Sequence, residues 1–235
     1  MLSLRSLAQG RIIPILRAGI PDVVGSDADP VERALQALQQ MLLRGVRRLA
    51  QQLRSPTDVA PSDGGVEPAS AIFSQVKELC IEPIDGVLDA DEHVFSLFAG
   101  PLHLANLLLS IERDLLGTAL TRVPAPGGVD ENGWWQIIRR MARQRPFLWR
   151  NHREAIDKGY LKKGTSSAIS FPTGGGKSTL AELKIAAALL RDEKVVFLAP
   201  THALVSQTTR TLRNTFQNFE VVADLDEEVT FDDVV

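Results

Sequence analysis

Cysteine is almost missing from this chain. Cys80 is the single cysteine in 235 residues, which excludes an internal disulfide and any cysteine-rich zinc site within the sequence. A lone thiol suits a reducing compartment. Long apolar runs are missing too. No segment approaches the roughly 18 uninterrupted apolar residues of a membrane span, so no membrane partner is expected. Ile12-Ile13-Pro14-Ile15-Leu16, set among Arg5, Arg11 and Arg17, is too short and broken for a signal-peptide core. A cytoplasmic location is the expectation. There is no global excess of basic charge: the formal net charge is −3, so any nucleic-acid surface has to be local. No internal repeat is visible. What is present is a chain 44% hydrophobic, the composition of a globular protein, long enough for one large or two small domains.

The first half reads as helices. Asp29-Pro30-Val31-Glu32 is a helix start, with Asp29 as N-cap, Pro30 at the first helical position and Glu32 at the capping-box position. Val31, Leu35, Leu38, Leu42, Val46, Leu49 and Leu53 recur at helical spacing, which predicts an amphipathic helix to about Arg54 with Arg33, Arg44, Arg47, Arg48 and Arg54 on its outer face. Such a face is either solvated or able to touch phosphates. Residues 55–70 hold three prolines and two glycines and read as a loop. A second helix is expected near 71–80. A third, near 91–116, is leucine-rich around much of its circumference and expected to be buried in a bundle. No chemistry-bearing constellation appears here, and residues 1–133 are read as a helical accessory domain, open to protein partners. After the Pro/Gly-rich boundary, Trp134 opens another helix. Arg139, Arg140, Arg143, Arg145, Arg150 and Arg153 then interleave with Phe147 and Trp149. That mixture suits single-strand or backbone contact, or pairing with the acidic stretch 224–233.

The second half carries the sharpest signal. Ala168-Ile169-Ser170-Phe171 reads as a short strand. Pro172-Thr173-Gly174-Gly175-Gly176-Lys177-Ser178-Thr179 follows, and then an apolar helix-forming run. Consecutive glycines let backbone N–H groups wrap a phosphate chain without Cβ clashes, and a helix N-terminus lends positive partial charge behind them. Lys177 can reach β- and γ-phosphates, and the Ser178 hydroxyl can ligate Mg²⁺. Val195-Val196-Phe197-Leu198 reads as a second strand buried on both faces, Ala199-Pro200-Thr201 as its exit, with Thr201 an N-cap, and Glu220-Val221-Val222-Ala223 as a third strand. The expected fold class is α/β: a partial RecA-like P-loop lobe with a parallel sheet over 134–235, preceded by the mainly helical domain.

The loop departs from the general phosphate-loop pattern, which wants glycine at Phe171. In its helicase form the pattern is complete: Pro172 to Ser178 resembles motif I of superfamily 2 helicases, in the version of RecQ-type DNA helicases. Ala199-Pro200-Thr201-His202-Ala203-Leu204 resembles motif Ia of the same family, which lies against the sugar–phosphate backbone. Leu148 to Ile156 resembles the upstream segment in which a glutamine reads adenine; His152 stands at that position, and imidazole cannot copy the planar amide. The resemblance implies an ATP-dependent DNA helicase or translocase acting in DNA repair or defence against foreign DNA. It implies ATP and Mg²⁺ as cofactors on Pro172 to Thr179, with His152 near the base. Lys177 and Ser178 are implied as catalytic, Ser178 as the metal ligand, and Pro200, Thr201 and His202 as the nucleic-acid grip. DNA is implied rather than RNA.

Parts of such a motor are not found in the sequence. There is no Asp-Glu-x-[His/Asp] box, no Ser/Thr-Ala-Thr motif and no second lobe, and Asp226-Glu227-Glu228 does not cap a long apolar strand. Ending on Val234-Val235, the lobe reads as truncated at its C-terminus, the N-terminal part of a longer chain, inactive in hydrolysis by itself. Two other classes stay open: a nucleotide-binding switch, and a DNA- or partner-docking module in the helical half.

Overall fold

A computed structural model describes residues 2–21, 29–54, 67–81 and 96–223. They fall into two compact units. The first takes its residues from Met1–Arg122 and Ala142–Phe147, the second from Val123–Met141 and Leu148–Val235.

In the first unit, α1 (Leu2–Ala8), α2 (Ile12–Arg17), α3 (Pro30–Arg54), α4 (Ala69–Leu79) and α5 (Ala99–Gly117) are followed by a 3₁₀ turn over Leu120–Arg122. Helix α3 begins and ends where its signals place it. Its Leu38, Leu42, Val46, Leu49 and Leu53 are buried, with Phe73 and Val76 of α4 and Ala105 and Leu108 of α5 in the same core. Each large side chain so buried contributes about 1.5–3 kcal/mol. Arg48 departs from the expected solvated face. It is buried, and its Nε donates to the Glu67 carbonyl at 3.0 Å. Helix α5 departs as well: Leu107 and Ile111 are exposed, so its apolar girdle is only partly covered. The expected start of this helix near 91 lies outside the described residues, as does the acidic stretch 224–233.

The N-terminus of α4 is satisfied from a distance. Its N-cap, Pro68, offers no side-chain acceptor. Instead Gln52 Oε1 on α3 accepts from the Ala69 N–H at 3.3 Å, and Glu112 Oε1 on α5 accepts from the Ser70 N–H at 3.0 Å. Both acceptors are buried. Three helices are thereby locked through the orphan donors of one of them. Burial pushes the Glu112 carboxyl above its ordinary value, against the opposite pull of its Ser70 bonds. A carboxyl raised in the folded state favours folding fully below its unfolded pKa, and that contribution is lost as pH rises through the folded value. Glu112→Gln keeps an acceptor and has no charge to desolvate. It is expected to match the parent's melting temperature near pH 4 and to equal or exceed it at pH 7. Glu112→Ala leaves the Ser70 N–H without its acceptor and is expected to cost about 1 kcal/mol at both pH values. Thermal unfolding of the three proteins across that range checks both; a Gln variant that loses stability as pH rises would refute the assignment.

The second unit contains α6 (Glu131–Ala142, apart from its last residue), α7 (Arg150–Asp157), α8 (Lys177–Leu189) and α9 (His202–Thr215). Trp134 is fully buried and donates from Nε1 to the Val123 carbonyl at 3.0 Å. Arg140 Nη1 donates to the Thr215 carbonyl at 2.9 Å, tying α6 to the end of α9. Leu180, Leu183, Ala186 and Ala187 give α8 its buried side.

The expected α/β fold is not formed. Among the described residues there is no strand and no sheet, so the parallel-sheet RecA-like lobe is absent. Residues 168–171, 195–198 and 220–223, read as strands, are irregular. Val196 is 60% exposed and Leu198 87%. An apolar run of this kind is stable as a strand only between hydrogen-bonded neighbours with both faces covered. Parallel pairing must bring together segments separated by whole helices. The apolar pattern specifies extension locally and says nothing about whether a partner is reached.

Candidate functional site

The loop ahead of α8 owes its shape to its glycines. Gly174 has φ +80° and Gly176 φ +76°, backbone that side-chain-bearing residues rarely adopt. Between them the Gly175 N–H donates to the Pro172 carbonyl at 2.9 Å, and the Thr179 N–H to the Gly176 carbonyl at 3.0 Å. Gly176 caps α8, so Lys177 and Ser178 open the helix with backbone donors that have no intrahelical acceptor. The chain arches over itself: Lys177 Nζ donates back to the carbonyls of Phe171 at 2.8 Å and Pro172 at 3.3 Å.

Behind the loop stands α7. His152 is 2% exposed. Its Nδ1 accepts from the Trp149 N–H at 3.3 Å, and its Nε2 lies 3.1 Å from the Gly175 carbonyl. An acceptor at Nδ1 and a carbonyl at Nε2 define one tautomer, neutral with the proton on Nε2. The Asn151 amide donates to the same Gly175 carbonyl at 3.2 Å. Asn151 was not singled out by the sequence. A contact spanning 24 residues leaves no local signal, beyond an amide beside the histidine in the first turn of α7. A Cβ on Gly176 would collide with the His152 imidazole, so that glycine is required by packing as well as by φ.

The structure thus brings Pro172, Thr173, Gly174, Gly175, Gly176, Lys177, Ser178, Thr179 and His152 together around one turn. Pro172, Thr173, Lys177 and Ser178 are exposed, while Thr179 faces inward. A Cβ on Gly174 would meet nothing within 4 Å, so the loop has open space beside it. Open space, free-standing helix-opening donors, a lysine and a serine hydroxyl fit a triphosphate with its divalent cation. A cavity of about 440 Å³ adjoins the loop, lined among others by Asn151, Glu154, Lys158, Tyr160 and Phe171.

Pro200, Thr201 and His202 lie apart from this turn, exposed at the start of α9. Thr201 is the N-cap expected from the sequence: its Oγ1 accepts from the Leu204 N–H at 3.3 Å. Thr201→Ala is expected to cost about 1 kcal/mol and to speed amide exchange in the first turn of α9 while leaving α8 unaffected. Equal exchange in the two proteins would show that the cap carries no weight.

Residues 149–232 match the family model of the DEAD/DEAH box helicases. The match takes in the whole of α7, α8 and α9 with the loop between them, and it supports a domain of the superfamily 2 helicase type over that stretch. With it comes, in general terms, an ATP-dependent hydrolase function directed at nucleic acid. No curated protein and no solved structure matches the chain. Among the described residues no helix is long and apolar enough to cross a membrane.

Proposed function

We propose that the protein is an ATP-dependent DNA helicase or translocase of the RecQ-like kind, working in the cytoplasm. The observation that carries this reading is the loop opening α8, with two glycines at positive φ followed by Lys177 and Ser178. In the proposed site, Gly174 to Ser178 hold the phosphates through backbone N–H groups. Lys177 leaves its carbonyl partners for the γ-phosphate and stabilises charge that develops there during transfer. Ser178 holds Mg²⁺, which when bound screens the phosphate charges. The exposed start of α9 at Pro200, Thr201 and His202 contacts the DNA backbone, where helix-opening N–H groups suit a phosphate. Residues 1–133 serve as a helical accessory domain that can dock protein partners. DNA repair or defence against foreign DNA is the setting this reading suggests, by analogy with the family.

The test is ATP hydrolysis by the full-length protein with and without single-stranded DNA, beside single-stranded RNA. Stimulation by DNA over RNA supports the reading. Nucleotide binding without any stimulated turnover would replace it by a nucleotide-dependent switch.

A further inference from the structure

His152 and Asn151 occupy the place from which a base would be read, yet both point their polar groups into the protein. Nδ1 of His152 is engaged by the Trp149 N–H and Nε2 by the Gly175 carbonyl. The Asn151 amide goes to the same carbonyl, and its Oδ1 accepts from the His152 N–H at 3.0 Å. Asn151 is also the amide side chain lining the adjoining cavity. Reading a base edge takes a donor and an acceptor presented together, and these two side chains have committed theirs to the loop. Trp149, 63% exposed at the start of α7, offers a π-face, and every base stacks on such a face.

We infer that His152 is a positioning residue, holding the Gly175 carbonyl as the neutral Nε2–H imidazole, and that the site selects its nucleotide by the triphosphate and not by the base. This rests on the proposed nucleotide-binding role of the loop and adds what that role leaves open, its substrate class: purine and pyrimidine nucleoside triphosphates alike. Discrimination is left to the phosphate chain, whose partners (backbone N–H groups, Lys177, Ser178) are blind to the base.

The experiment is displacement of a fluorescent ATP analogue from the full chain with Mg²⁺ by ATP, GTP, CTP, UTP and inorganic triphosphate. It is repeated for His152→Ala and His152→Gln, with ¹⁵N spectra of the parent imidazole. The expected result is four nucleotide affinities within about threefold of one another and a spectrum of the Nε2–H tautomer. His152→Ala is expected to weaken all four nucleotides together by up to about tenfold, the factor for one lost hydrogen bond. His152→Gln, whose amide can still donate to Gly175, is expected to recover most of that loss. A tenfold preference for ATP over the other three, a loss in His152→Ala confined to ATP, or an Nδ1–H tautomer would each overturn the inference while leaving the loop's role intact. No displacement by any nucleotide or by triphosphate would remove the loop's role itself, and the inference with it.

Discussion

Lys177→Ala is expected to lower nucleotide hydrolysis by the full-length protein roughly 10²–10³-fold, the scale on which a single charge-stabilising group acts in a transition state. The fold should not register the change. Lys177 is exposed, and its present partners are two loop carbonyls that water can satisfy. Its ammonium also sits at the first position of α8, where a positive charge opposes the helix dipole, and alanine is the better helix former. Thermal stability without nucleotide should therefore stay within about 0.5 kcal/mol of the parent, or rise slightly, while turnover collapses. The stabilisation that added nucleotide gives through mass action should shrink in the same variant. Turnover that survives in Lys177→Ala would mean the hydrolysis originates elsewhere, and the assignment of Lys177 would be withdrawn. A variant that loses turnover and stability together would show instead that the lysine is a strut of the loop.

How much of this was legible beforehand depended on how far apart the interacting residues lie. The start of α3 was legible because Asp29, Pro30 and Glu32 carry the whole signal within one turn. Thr201 was legible for the same reason, its bond running three residues to Leu204. The glycine loop was legible because positive φ is a demand that glycine meets at no steric cost, and Gly174 and Gly176 meet it.

What was not legible is non-local. Nothing near Arg48 marks it as buried; that follows from the Glu67 carbonyl arriving from another segment. The capping of α4 by Gln52 and Glu112 likewise needs three helices already assembled. The sheet was the largest departure, because the run Val195 to Leu198 has the composition of a buried strand, and composition does not supply a ladder partner. His152 was placed near the nucleotide by the sequence. That both of its nitrogens turn inward is a consequence of the loop folding back over α7, and only the three-dimensional arrangement displays it.

The contact between Gly45 and Phe73 makes a prediction whose sign depends on its background. Gly45 lies inside α3, where a glycine is worth about 1 kcal/mol less than alanine, so a Gly45→Ala change on an open helix would stabilise. Here α3 and α4 approach so closely that a Cβ on Gly45 would overlap the Phe73 ring. That ring is 0% exposed and has no free volume to retreat into. Overpacking should outweigh the helical gain, and Gly45→Ala is expected to destabilise the first unit by about 1–3 kcal/mol. Phe73→Ala empties the space and should cost about 3–5 kcal/mol. In that background the added methyl fills part of the cavity and recovers helix propensity, so the double variant should be more stable than Phe73→Ala alone. The two changes therefore couple with opposite sign in a double-mutant cycle, read from denaturant unfolding of the four proteins. Additive losses would show that the two helices slide apart to admit the methyl, and that the close approach at Gly45 does not set their spacing.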